Sequence, residues 1–317
     1  MNSTHFINDN FLLQSEIAVT LYHTYAKNLP IIDYHNHLSA KQIAEDLPIQ
    51  NITRAWLNGD HYKWRGMRAN GIDEMYITGS ETSNKEKFLK WAETVPYTLR
   101  NPLFHWTHLE HKTPAQLLEQ MKVEVICTTD DPIDDLKDHK AIAKKGFYTK
   151  VFPTFRPDTL LFINKDNFSD YIKKLGDCVG FSISSLKDLL KAIEIRIEYF
   201  DAAGCRLSDY GMEEIFASDF SDDTADSIFK KRLSDSQVSE EEVNVYASCI
   251  LNKLCKMYHA KGWTQQFHVG AIRNNNSRLL EKIGLDAGVD SIGDFSAAKA
   301  MSKLFNSLDY TNQLPII

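Results

Sequence analysis

Leu29 to Ser39 reads LPIIDYHNHLS, a short apolar run that ends in Asp33, His35 and His37. On a strand, residues two apart point to the same side. Asp33, His35 and His37 then share one face, and Ile32, Tyr34 and Asn36 the other. An apolar strand has little reason to present three polar groups on one side unless something there uses them. A lone strand histidine is more often an ordinary core or surface residue. The repeated H-x-H behind Asp33 moves the reading to a divalent metal, which needs N or O donors converging on one point.

Outward from this strand, four more segments have strand character: Val123–Thr128, Lys150–Phe155, Cys205–Ser208 and Gln265–Ile272. Several run into polar clusters, CTTDDP, FPTFRPD, CRLSDYG and FHVGAIRNNN. Between them, apolar residues recur at helical spacing. The stripes are Leu13, Ile17, Leu21 and Tyr25 in 12–27; Leu186, Leu189, Leu190, Ile193, Ile197 and Phe200; and Val243, Tyr246, Ile250, Leu254 and Met257, with Gly262 as a stop. Strands alternating with helices predict a parallel sheet. Polar clusters at the strands' C-terminal ends predict an α/β fold of the (β/α)8 TIM-barrel type, whose chemistry sits at that end.

The stretch 49–106 breaks this rhythm and reads as a helical insertion over the barrel mouth. The expected organisation is an N-terminal helical segment (1–30), the first barrel strand and loop (31–48), the insertion (49–106) and the remaining β/α units (107–317). The acidic run SDFSDDTADS (218–227) is a solvated loop on its simplest reading.

The 317 residues are 43% hydrophobic, enough for a sizeable core, and a net charge of -7 argues against nucleic-acid or anionic-membrane surfaces. The N-terminus lacks the pattern of a signal peptide, and no apolar run approaches the ~20 residues of a membrane span. Five cysteines without a C-x-x-C pair read as free thiols. Together these predict a cytoplasmic protein with a small-molecule partner, no nucleic acid and no membrane; homo-oligomerisation stays open.

Candidate chemistry lies in three further segments. GDHYKWRGMR (59–68) is either a polar helix surface or a wall bringing His61 and Tyr62 to a polar substrate. Arg156 in FRPD offers a planar fork suited to a carboxylate, which favours an acid-bearing substrate. His268 with Arg273 and three asparagines would suit a polyhydroxylated ligand.

In order along the chain, FLLQSEIAVTLYHTYAKNLPIIDYHNHLS, GDHYKWRGMRANG, WAETVPYTLRNPLFHWTHLE, VICTTDDP, FPTFRPD, GCRLSDYG and FHVGAIRNNN resemble the uronate (glucuronate) isomerase family. That family is a divergent branch of the amidohydrolase superfamily. The resemblance implies a distorted (β/α)8 barrel and one divalent metal, commonly zinc. It implies interconversion of D-glucuronate with D-fructuronate, and of D-galacturonate with D-tagaturonate, in hexuronate catabolism. Carried over, His35 and His37 are the metal pair; His61, Tyr62 and Asp209 are catalytic; Arg156, His268 and Arg273 bind substrate. Arg156 would follow the fourth strand and grip the uronate carboxylate, with Asp209 and His268 at the mouths of the fifth and sixth.

Two departures stand out. After HWTHLE the family continues through a few tens of largely helical residues, whereas here Glu110 runs straight into HKTPAQLLEQM. The sequence ends at DYTNQLPII, where the family goes on to its seventh and eighth strands, an aspartate that completes the metal site, and later arginines. What is expected is an incomplete barrel of strands 1–6, with an open edge, exposed apolar surface and a weakly held metal. Two other functions remain open: a metal-dependent hydrolase of the same superfamily, and a non-catalytic remnant of the barrel. The hydrolase would add a Lys or His ligand on the fourth strand and a His on the fifth, and VFPTFRPD and CRLSDYG supply neither in an obvious place.

Overall fold

A computed structural model of the chain describes residues 8–97 and 111–317. Residues 1–7 of the N-terminal segment, 98–106 of the insertion and most of WAETVPYTLRNPLFHWTHLE therefore lie outside the described residues. The chain divides into two compact units. One comprises Met1–Ile32, Glu45–Val125 and Asn274–Asp290; the other comprises Asp33–Ala44, Ile126–Arg273 and Ser291–Ile317.

In the first unit, short helices Ile52–Trp56, His61–Ala69 and Asn84–Thr94 gather a small core of Leu57, Met67, Ile77 and Trp91. Arg68 is committed to this packing: it grips Glu74 with two 2.9 Å bonds and donates to the Ala287 carbonyl at 2.7 Å. The helix expected over 12–27 starts later, at Glu16, because Leu12 is left-handed (φ 67) and Ser15 caps the amide of Ala18 at 3.1 Å. It runs into a π-helical turn, Tyr22–Ala26. Ile17, Leu21 and Tyr25 of its apolar stripe are exposed.

The sheet is built from β1 (Ile31–Asp33), β2 (Val123–Cys127), β3 (Lys150–Phe152), β4 (Leu207–Met212) and β5 (Thr264–Val269). β1, β2 and β3 are neighbours in that order. Parallel bridges Asp130–Phe155 and Phe155–Ser208 carry the order on to β4, which pairs in parallel with β5 over six residues. Ile316 bridges Thr264 in parallel and so takes the sixth place. Strand neighbours thus follow the order of the sequence, as a (β/α) barrel requires. β1 stands at the end of this order, with Ile31 and Ile32 exposed. Among the described residues no strand lies between β1 and β2, because 49–97 form helices and turns. Among the described residues Arg156 follows the third strand, Asp209 sits on the fourth and His268 on the fifth, where the family resemblance implied the fourth, fifth and sixth. A two-residue ribbon, β6 (Ala271–Ile272) against β7 (Ser291–Ile292), follows β5.

Two long helices of the second unit keep the predicted periodicity. In Leu186–Ala202 the residues Leu186, Leu189, Ile193, Ile197 and Phe200 are buried. In Glu240–Lys261 a reciprocal Ser239–Glu242 capping box opens the helix, and left-handed Gly262 (φ 67) closes it. Tyr210 on β4 and Phe267 on β5 stack at 5.3 Å on the sheet face that joins this core. Among the described residues no helix is long and apolar enough to cross a membrane.

Candidate metal-binding active site

The ends of β1, β4 and β5 converge chemically. One ligand atom each from His35, Asp209 and His268 lies within 4.8 Å of the others. Parity explains why. On β4 and β5, Asp209 pairs with Gln266 and Gly211 with His268, so all four share one face. The opposite face carries Tyr210 and Phe267 into the core, which leaves the polar set pointing away from it.

Asp209 is fully buried and fully engaged. Its Oδ1 meets His268 Nδ1 at 2.6 Å, and its Oδ2 accepts from Arg156 Nη1 at 3.0 Å. His35 Nδ1 stands 3.8 Å from the same Oδ2, too far for a hydrogen bond. It is buried without any hydrogen-bond partner. Its ring lies 4.4 Å from that of His268 and 5.0 Å, edge-on, from that of His37. Burial pulls the pKa of both His35 and His37 below the ordinary value, partly offset at His35 by Asp209. A neutral imidazole is the form that binds a metal.

The turn that delivers these histidines is held by Asn36. Its amide donates to the Cys127 carbonyl at 2.7 Å, its Oδ1 caps Leu38 N at 2.9 Å, and its carbonyl accepts from Thr129 Oγ1 at 3.0 Å. Asp33 accepts from the backbone amide of His35 at 3.4 Å, which shapes the end of β1.

Do these residues suit a divalent ion? Imidazole nitrogens and a carboxylate are the donors that zinc and similar ions take. An orphaned, buried Nδ1 beside a carboxylate is a position that an ion would satisfy. The donor set fits.

Arg156 behaves differently from its expected part. Its Nε donates to Asp158 at 2.8 Å while Nη1 holds Asp209, so two protein carboxylates occupy the fork that was assigned to a substrate carboxylate. Burial alone would lower the guanidinium pKa; Asp158 and then Asp209 outweigh it and raise it. Burial pushes the Asp158 carboxyl up although Arg156 pulls it down. The short contact and the additional amide bond from Gly211 favour the charged pair.

Arg273 is exposed after β6 in the second unit. His61 and Tyr62 open a helix of the first unit behind Asp60, which caps Tyr62 N and Lys63 N at 3.0 and 2.9 Å. His61 stacks on Trp64 at 5.4 Å, and Arg65 lies over the exposed Tyr62 ring at 5.0 Å. In this segment Asp60, Lys63 and Arg68 serve the fold.

Sequence reasoning passed over Asp158 and Gly211, although FRPD and DYG were both singled out. The signal was there in the Arg-x-Asp pair. It also passed over a second buried cluster in CTTDDP, where Thr128 Oγ1 donates to Asp130 at 2.6 Å and meets His139 Nε2 at 2.8 Å.

A family model described as glucuronate isomerase matches residues 3–115 and 110–317. The chain belongs to the glucuronate isomerase family. The two matched stretches meet where Glu110 runs into HKTPAQ. The uronate isomerase of Flavobacterium johnsoniae is 45% identical over 344 aligned positions, covering 99% of this chain and 73% of that protein. The uronate isomerase of Bacteroides fragilis is also 45% identical, covering 98% and 73%. Among solved structures, the uronate isomerase of Thermotoga maritima superposes with a TM-score of 0.90 at 32% identity, covering 98% of this chain and 74% of that one. Family membership and this superposition establish the amidohydrolase-like barrel type of the fold.

Proposed function

We propose that the chain is a uronate isomerase that interconverts D-glucuronate with D-fructuronate, and D-galacturonate with D-tagaturonate. What carries the reading is the meeting of His35, Arg156, Asp209 and His268 from the ends of β1, β3, β4 and β5, in a chain 45% identical to curated uronate isomerases.

Aldose–ketose isomerisation moves a hydrogen from C2 to C1 and needs a group that takes a proton and one that returns it. Asp209 accepts the Nδ1 proton of His268 and thereby fixes its tautomer, which leaves Nε2 to take or give a proton. His61 and Tyr62 are further proton-relay groups on the strength of the family resemblance. Arg273 supplies positive charge for the uronate carboxylate on the same resemblance, while Arg156, its fork filled by Asp158 and Asp209, holds Asp209 in place. Proton transfer through a cis-enediol is preferred to a hydride shift on the same resemblance. His35 would hold the divalent ion together with His37, with the Asp209–His268 pair within reach of it. A bound zinc ion supplies Lewis-acid stabilisation of negative charge on substrate oxygens.

The test is turnover of D-glucuronate by the 317-residue chain, with metal content measured in parallel. Turnover that is lost on chelation and returns with zinc is expected. His35→Ala and His37→Ala should lose metal, whereas His61→Ala should lose turnover and keep it. Zinc retained in both His35→Ala and His37→Ala would overturn the ligand assignment, and hydrolysis of an amide or ester in place of isomerisation would overturn the reaction.

A further inference from the structure

Asp158, the last residue of FRPD, has no part in the chemistry above, yet it holds two elements of the site at once. One of its oxygens accepts from Arg156 Nε at 2.8 Å. Both accept from the backbone amide of Gly211, at 3.1 and 3.2 Å. Gly211 lies two residues beyond Asp209 on the same face of β4. A Cβ built on Gly211 would overlap Arg156 Nη2 and come within 3.3 Å of Asp158 Oδ2. Gly211 is not among the positive-φ residues. Glycine is therefore needed there for space rather than for conformation: the missing side chain is the seat of the guanidinium.

The chain of contacts runs Asp158, Arg156, Asp209, His268, with His35 beside it. An arginine held at Nε by one carboxylate can present Nη1 to a second in only a narrow range of orientations. We propose that Asp158 is a positioning residue. Seated on Gly211, it fixes Arg156 so that Arg156 holds Asp209 Oδ2 and leaves Oδ1 aimed at His268. The proposal rests on reading Asp209 and His268 as the proton-handling pair. A residue that only stabilised the four-residue helix Asp158–Leu161 would change unfolding and leave the His268–Asp209 contact alone.

Two readouts on the full chain test it: kcat and KM for D-glucuronate, and the downfield proton resonance of the His268 Nδ1–H held by Asp209. Asp158→Asn should lower kcat about tenfold or more with KM changed less than about threefold, and should weaken or shift the resonance. Asp158→Glu, which keeps the charge, should recover part of both. Gly211→Ala keeps the Asp158 carboxylate but pushes the guanidinium out of its seat and crowds Asp158 Oδ2, and should reproduce the loss. The double variant should be little worse than either single one, since both act through Arg156. Asp158→Asn with unchanged kcat and an unchanged resonance overturns the proposal, as does a wild-type chain without that resonance. A wild type that fails to turn over D-glucuronate defeats the functional reading instead. The resonance then decides alone: its loss in Asp158→Asn supports positioning, and its persistence overturns it.

Discussion

Arg156 is the residue whose meaning changed most between sequence and structure. A planar fork beside a barrel strand suits a substrate carboxylate, but here the fork is already filled by Asp158 and Asp209. Arg156→Lys keeps a positive charge and loses the two-pronged reach. Turnover should therefore fall about tenfold or more, while binding of a uronate and of the matching neutral aldose weakens alike. Selective loss of uronate binding, measured by calorimetry, would return Arg156 to the role of carboxylate clamp. Asp130 and His139 make the other residue-scale case. Burial raises the Asp130 carboxyl to about 6, and it lowers His139 to about 4. Between these values the folded state keeps the Asp130 proton that the unfolded chain has lost, so this group makes stability fall as pH rises. His139 does the reverse, because the unfolded chain holds the proton that the folded state lacks. The two should nearly cancel, leaving stability flat between about pH 4 and 6 as far as this pair is concerned. His139→Gln should then give stability that falls with rising pH in that window, and Asp130→Asn stability that rises, each by on the order of 2 kcal/mol. Urea unfolding at pH 4, 5 and 6 reads both; a flat response in the two variants would show the groups are not linked to folding.

At the scale of elements, the ends of helices and strands do most of the positioning. The helix Glu240–Lys261 has three glutamates in its first turn, His259 and Lys261 in its last, and a cap at each end. That arrangement matches the helix dipole as well as the orphan amides and carbonyls. Ser239→Ala removes the capping oxygen and should cost about 1 kcal/mol, visible as a lower Tm with turnover unchanged. The strands owe their geometry to parity: Asp209 and Gly211 share a face, so the carboxylate that holds His268 and the seat of its arginine come from one six-residue strand.

For the molecule as a whole, burial is uneven. The main core belongs to the second unit, where Leu254 is fully buried among the aromatic and aliphatic side chains of the long helices. Ile17, in the first unit, is 72% exposed. Leu254→Ala should cost roughly 2–5 kcal/mol through lost burial and a residual cavity. Ile17→Ala, the same kind of truncation on the predicted apolar stripe, should fall within about 0.5 kcal/mol. Equal denaturant midpoints for the two variants would contradict this division of the core.

The sequence by itself determined the parts that depend on local spacing. Alternation on LPIIDYHNH singled out His35 and His37, although the strand ends at Asp33 and a turn delivers them; helical periodicity marked out 186–200 and 240–260 within two residues of their observed ends. Order along the chain made the sheet parallel, with polar ends to its strands. Such features are legible because backbone geometry repeats every two or 3.6 residues. Only the tertiary structure decided which polar ends meet. Asp209 and His268 are 59 residues apart, and Arg156 and Asp209 are 53 apart, so no periodicity links them. Strand neighbours bring them together, and the order of strands depended on an insertion whose described part holds helices and turns. The stripe of Ile17, Leu21 and Tyr25 shows the opposite limit. Periodicity says that a face is apolar; whether that face is buried is decided by what the rest of the chain packs against it.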